Sequence, residues 1–297
     1  TRLREGLAGA DIPIVSHGAG VDLARGLNDP WRLAAEVDEW GFSRKELGPY
    51  DRGRALHEDH LQSADYTRNA ARGKPVWHAE AQPGQRIRGF SYSILPQPGD
   101  IKVNNWTSLM AGVAGIMHWQ FRPELSGPEA PGQGIVGLDG TPDEITETAA
   151  WFARFTNEHP ELARATALDG EVAVLMLPES ELFCWLADNR SSAKYHAAVK
   201  GWYRALLHAQ YQPDFARLPD LGRYTHAVLP WPYMLERKSV DLLREWVEQG
   251  GTLISEAAPA HFIDNAYCSM RVPGLGLDEV FGVVQSSMES VPSADAI

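Results

Sequence analysis

Pro75-Val76-Trp77-His78-Ala79-Glu80 is a short, mostly apolar run ending on a carboxylate, and its reading decides how the rest of the chain is read. A run of this length between helical stretches reads as a buried strand. Before it, residues 58–72 read as a helix that Gly73 closes; after it, a second helical stretch covers 104–113. Another strand follows at once, Gly115-Ile116-Met117-His118-Trp119-Gln120-Phe121. Strands separated by helices in this way argue for βα units and a parallel sheet. Towards the N-terminus, strands are expected at Ile12–Gly18 and near 37–43. Between them 29–39 reads as a helix, with Asp29 as N-cap and Pro30 at the first helical position. Towards the C-terminus, 123–143 is rich in proline and glycine and reads as a long, mobile loop. A helix over 143–158 follows, and Pro160 ends it.

Beyond that proline a second βα series begins. Strands are expected at Glu171–Leu177, Thr225–Pro230 and Thr252–Ser255, and helices at 193–210 and 238–249. In the last helix Val240, Leu243 and Val247 recur at helical spacing and are expected to bury one face, with Gly250-Gly251 as the stop. The pattern is that of an open doubly wound sheet. The boundary falls near residue 165, giving units over 1–165 and 166–297.

Composition excludes several classes. Of 297 residues, 44% are hydrophobic and 22% charged, which is ordinary for a globular chain and rules out wholesale disorder. No uncharged apolar run approaches the roughly 20 residues that a bilayer needs, so no membrane partner is expected. With 27 basic against 39 acidic residues the net charge is −12, and no basic stripe stands out, which argues against nucleic acid as a partner. Cys184 and Cys268 are too few for a disulfide framework or a zinc site; each adjoins an aromatic residue, and both are expected to be buried structural thiols. Ten tryptophans are a high count, and indoles are the usual platforms for the C–H faces of sugar rings. The chain opens on Thr1 with no charged, apolar leader, so a processed product or a portion of something longer is expected, and a cytoplasmic location.

Two patterns imitate chemistry. Gly132-x-Gly134-x-x-Gly137 has the spacing of a dinucleotide fingerprint, but it follows no strand, and Leu138-Asp139-Gly140-Thr141-Pro142 cannot continue as the required helix. His57-Glu58-Asp59-His60 resembles a metal cluster, yet it opens a polar helix and reads as a solvated face. No GxSxG elbow occurs, so a serine hydrolase has no nucleophile here. No metal and no cofactor are expected.

In a parallel barrel the C-terminal strand ends form the active face, so Glu80 there points at substrate. The next strand end offers His118, Trp119, Gln120 and Arg122, followed by Ser126-Gly127-Pro128-Glu129. Stacking surfaces beside amide, guanidinium and carboxylate groups suit a hydroxyl-rich ligand.

These residues resemble the glycoside hydrolase family 42 β-galactosidases, in the clan of (β/α)8 retaining glycosidases. The resemblance is carried by Glu80-Ala81-Gln82-Pro83-Gly84, by Ala111-Gly112-Val113-Ala114-Gly115-Ile116 leading into His118-Trp119-Gln120-Phe121-Arg122, and by Gly127-x-Glu129. In the second half, Tyr224 to Pro230, Leu242 to Ile254 and Gly276 to Gly282 are similar to the family's trimerisation domain. The resemblance implies an α/β fold: a (β/α)8 TIM barrel, of which only about the last four βα units (strands five to eight) are present. A doubly wound, amidotransferase-like domain follows and is expected to be cut short. It implies Glu80 as nucleophile, Trp119 or Phe121 stacking on the sugar, and Gln120 and Arg122 shaping the floor. Glu129 would bind hydroxyls, and His17 and Arg44 would sit near the pocket. The acid/base Glu would lie outside this sequence, on roughly 150–200 further N-terminal residues judged by typical barrel length. The implied partners are a small carbohydrate substrate and two further copies in a homotrimer. Three residues after Glu129 the family usually has a histidine, where this chain has Gly132. The family's sixth strand ends in an Asp and a Tyr-Pro, where this chain has Gly41 to Glu46. Two other readings stay open: action on another β-glycoside (glucoside, mannoside or arabinopyranoside), and an inactive carbohydrate-binding protein.

Overall fold

The computed structural model describes residue 6 and residues 12–18, 23–26, 28–45, 56–85, 87–88, 91–93, 95–162 and 165–289. Chain contacts divide it into two units, Thr1–Asp22 with Gly26–Asp169, and Leu23–Arg25 with Gly170–Ile297.

The first unit is a four-stranded parallel sheet in chain order: β1 (Val15–Gly18), β2 (Glu39–Lys45), β3 (Val76–Gln82) and β4 (Gly115–His118). The helices between strands are α1 (Pro30–Ala35), α2 (Leu56–Ala71) and α3 (Pro98–Met110), and α4 (Glu144–Glu158) follows β4. Consecutive parallel strands joined by helices are the repeating unit of a β/α barrel. Among the described residues β1 pairs only with β2, and β4 only with β3. An apolar groove of about 470 Å³ runs beside β4, lined among others by Val113, Ile116, Phe121, Ile135 and Phe152.

Local chemistry sets the helix ends. Asp29 caps α1 by accepting from the Trp31 amide, and Pro30 occupies the first turn, as expected; the helix stops at Ala35, short of 39. Lys74 then donates to the carbonyls of Ala34 and Val37, both at 2.6 Å, tying the turn into β2. Helix α3 begins at Pro98, well before the expected 104, because Gln97 and Asp100 form a capping box around Pro98. The core of this unit lies between the sheet and its helices, where Trp40, Phe42 and Val76 meet Ala34, Ala64, Ala71, Ala111 and Val113. Its opposite face carries His17, Trp77 and Glu80.

The second unit is built on a parallel sheet. Its strands are β5 (Val172–Leu175), β6 (Pro213–Ala216), β7 (His226–Leu229) and β8 (Thr252–Ser255), in the order β8-β7-β5-β6. The chain steps one way from β5 to β6 and returns across β5 to β7, which makes the sheet doubly wound. Strand β5 is buried at every position, as expected for a central strand covered on both faces. The helices are α5 (Pro178–Ala187), α6 (Ala193–His208), α7 (Arg237–Glu248) and α8 (Leu277–Phe281). In α7, Val240 and Leu243 are fully buried as expected, but Trp246 takes the third core position and Val247 is only half-buried. Gly250 (φ +102°) ends the helix, and a side chain on Gly251 would meet the Trp246 ring at 2.4 Å. Cys184 is buried, whereas Cys268, expected to be buried, is exposed on a short strand. Among the described residues no helix is long and apolar enough to cross a membrane.

Candidate active site

Glu80 owes its direction to a break in strand register. Phe42 pairs with His78, but the next residue, Ser43, pairs with Glu80, so Ala79 is an inserted residue on β3. In a regular strand His78 and Glu80 would face the same side; the bulge lets them part. His78 and Ala81 turn outward and are fully buried, while Glu80 turns to the open face with about a quarter of its side chain exposed. There His17 Nε2, reaching across from β1, lies 3.3 Å from Glu80 Oε2, and the Gln82 amide donates to Oε1 at 2.9 Å. Gly41 on the intervening β2 makes this reach possible. A side chain there would meet the Ala79 and His17 Cβ atoms at 2.7 and 3.2 Å.

Beyond β4 the chain leaves the sheet but stays beside it. The Trp119 amide donates to the Ala81 carbonyl at 2.7 Å, setting Trp119 next to the strand that carries Glu80. The Trp119–Gln120 peptide is cis. Trp119 is 44% exposed and Phe121 is 71% exposed, and Phe121 also lines the groove beside β4. Gln120 exchanges backbone bonds with the returning loop, its amide to the Gln133 carbonyl (2.9 Å) and its carbonyl from the Ile135 amide (2.8 Å). Gln133 also bonds the Gln85 carbonyl through its amide, and its side chain reaches Glu129 Oε2 at 3.3 Å.

The loop 123–143 is therefore fastened at several points, contrary to the mobile segment expected. Its glycines explain the fingerprint-like spacing. A Cβ on Gly134 would stand 2.2 Å from Pro123 Cδ, and one on Gly132 would stand 2.8 Å from both the Gln85 carbonyl oxygen and the Ile87 amide. Gly132 thus lets the loop approach the Gln85–Ile87 backbone, and Gly134 makes room for the Pro123 ring.

Two predicted residues have partners elsewhere. Arg44 extends from β2 towards α2, donating to Ser63 Oγ at 3.2 Å with Asp59 at 4.0 Å. Arg122 donates to the Leu138 carbonyl at 2.8 Å and so braces the turn around Asp139. The structure thus brings Glu80, His17 and Gln82 together, with Trp119 on the adjoining strand end. Gln82 escaped the sequence reading, although its place two residues after Glu80 on one strand face could have found it. No group of three or more metal-ligating side chains occurs among the described residues. His60, expected on a solvated face, is instead fully buried.

Two family models match the chain: one described as "Beta-galactosidase" over residues 17–163, and one as "Beta-galactosidase trimerisation domain" over 170–297. A β-galactosidase of Geobacillus is 27% identical over 206 residues, covering 66% of this chain and 29% of the relative. One from Haloferax lucentense is 27% identical over 243 residues, covering 76% and 35%. The chain thus spans about a third of the length of the curated relatives it matches. Among solved structures, the β-galactosidase from Bacillus circulans sp. alkalophilus superposes with a TM-score of 0.82 at 19% identity, covering 95% of this chain and 41% of that one. The one from Halorubrum lacusprofundi gives 0.78 at 20% identity, with 95% and 43% covered. The fold of these structures is that of a β/α barrel carrying a second α/β domain, which the two units here reproduce in part. With the two models laid end to end along nearly its whole length, the chain belongs to the glycoside hydrolase family 42 β-galactosidases.

Proposed function

We propose that this chain carries the nucleophile half of a retaining β-glycosidase that hydrolyses terminal β-D-galactosides. Glu80 attacks the anomeric carbon and forms a glycosyl-enzyme, and the aglycone oxygen leaves with a proton from a second carboxylic acid. Water, deprotonated by that same group, then releases the sugar. The acid/base Glu belongs to barrel strands outside residues 1–297, which would pair with the outer edges of β1 and β4 and cover the apolar groove beside β4. His17 and Gln82 orient the two oxygens of Glu80. Trp119 is the stacking platform for the sugar, with Phe121 at its side; Gln120 and Arg122 shape the floor, Glu129 accepts from the hydroxyls, and Arg44 acts from behind β2. Residues 170–297 hold three copies together, and the enzyme works in the cytoplasm.

The observation that carries the reading is the Ala79 bulge, which turns Glu80 out of the helix-facing core and onto the open sheet face beside His17. The test is a panel of nitrophenyl glycosides offered to the expressed polypeptide that contains this chain, with its mass and assembly read by mass spectrometry and light scattering. Galactoside turnover by a trimer is expected, with Glu80→Gln still binding sugar but losing roughly three or more orders of magnitude in kcat. Undiminished turnover by Glu80→Gln would overturn the assignment.

A second reading, action on a different β-glycoside, is favoured by one observation. Gly132 stands where the family has a histidine, and Gln85 and Ile87 approach too closely for a side chain there. A glucoside, mannoside or arabinopyranoside hydrolysed faster than the galactoside would decide for it.

A further inference from the structure

His60 lies in a pattern that reads as a metal cluster or a solvated helix start and is neither. Its ring is fully buried between α2, α3 and the outer face of β3, together with His78 and Ser108. Ser108 Oγ is 2.7 Å from His60 Nε2 and 3.0 Å from His78 Nδ1, and His78 Nε2 is 3.5 Å from the Arg44 carbonyl oxygen. Burial, helped by their mutual repulsion and by Arg44, lowers the pKa of His60 to about 2. Burial likewise lowers that of His78 to about 3, against the opposing pull of the Arg44 carbonyl. Both rings are therefore neutral at pH 7, and each carries one proton.

The proton positions follow from counting donors. The Arg44 carbonyl can only accept, so His78 carries its proton on Nε2 and presents a bare Nδ1. That nitrogen must accept from the Ser108 hydroxyl, whose oxygen in turn accepts from His60 Nε2–H. The bonds run one way: His60 to Ser108, Ser108 to His78, His78 to Arg44. Every side-chain proton in the chain is used, and only the lone pair of His60 Nδ1 is left without a partner. Reversing the direction would bury an unpaired N–H on His60 and aim a lone pair at a carbonyl oxygen, the more costly arrangement.

The placement of this relay matters because His78 directly precedes the inserted Ala79, while Arg44 lies on β2 just past the matching register break between Phe42 and Ser43. The Phe42 ring stacks on His78 at 4.7 Å and 6°, closing the remaining side. We propose that the directed chain His60–Ser108–His78–Arg44 carbonyl is a positioning clamp, which holds His78 outward, fixes the Ala79 bulge and thereby sets the aim of Glu80. The inference rests on the reading of Glu80 as nucleophile.

Two measurements test it. Long-range 1H–15N correlation on the chain should find both rings as Nε2–H tautomers; an Nδ1–H tautomer at His78 overturns the chain's direction and the clamp with it. Kinetics of the expressed polypeptide should show Ser108→Ala lowering kcat roughly ten- to a hundredfold with KM little changed, the loss expected when a reacting group is slightly misplaced. Ile145→Ala, a core truncation on α4 away from the relay, guards against mere loss of folded protein and should leave kcat per folded molecule unchanged. Equal kcat in Ser108→Ala and parent, or equal losses in Ser108→Ala and Ile145→Ala, overturns the clamp. Turnover by Glu80→Gln would instead remove the nucleophile reading, leaving the tautomers to report on geometry alone.

Discussion

His78 and Glu80 would share a side of any regular strand, yet one is sealed among helices and the other faces the open sheet. The histidine side of that division has a consequence for stability. His60 and His78 are held neutral by burial, with folded pKa values near 2 and 3 against 6.5 for a free ring. Below pH 6.5 the unfolded chain takes up protons that the folded chain refuses, so stability falls with acidification from about 6.5 down to about 3. The slope is on the order of 1 kcal/mol per pH unit for each ring. His118, also lowered by burial, adds to it in the same direction. Denaturant titrations at pH 7 and pH 5 should show the loss, and a His60→Gln, His78→Gln double variant should show a much shallower one; identical slopes would contradict the account. In the sequence, Glu80 was legible because a carboxylate at the end of an apolar run is rare. The burial of His60 was not, because its neighbours Glu58 and Asp59 make the segment look solvated. The bulge at Ala79 left no mark at all, since alanine fits a strand without one.

At the scale of elements, the loop between β4 and α4 packs closely at glycines that leave no room for a side chain. Placing a methyl group 2.2 Å from Pro123 Cδ, as Gly134→Ala does, forces a rigid ring or the Val136 carbonyl to move. A cost of about 1–3 kcal/mol follows, with faster proteolysis within 123–143. Gly99→Ala, in the first turn of α3 with nothing within 4 Å, should be neutral or slightly stabilising. If thermal melts and limited proteolysis found the two variants alike, the packing account of the loop would fail. The parallel order of the strands and the existence of α2, α4 and α7 could be read from hydrophobic spacing. The start of α3 could not, because its inward face carries Asn104, Asn105 and Ser108, which hide the helical period. In α7 the bulk of Trp246, rather than the spacing of Val247, decided the third core position.

For the whole molecule, the first unit offers the Glu80 carboxylate with two hydrogen-bonding partners, on a sheet whose outer strands, among the described residues, pair on one side only. The second unit offers a doubly wound sheet matched by the family's trimerisation domain. Retaining chemistry needs a second carboxylic acid about 5–5.5 Å from the first, across the sugar. That partner is inferred from the strand count rather than from any local motif. The account stands on Glu80 forming the covalent bond. Its most direct test is to trap the expressed polypeptide with a 2-deoxy-2-fluoro-galactoside bearing a good leaving group, and to map the adduct by peptide mass spectrometry. The account predicts a single fluorosugar ester on the peptide containing Glu80, absent from Glu80→Gln. An adduct on another carboxylate, or galactoside turnover that the reagent never interrupts, would contradict it.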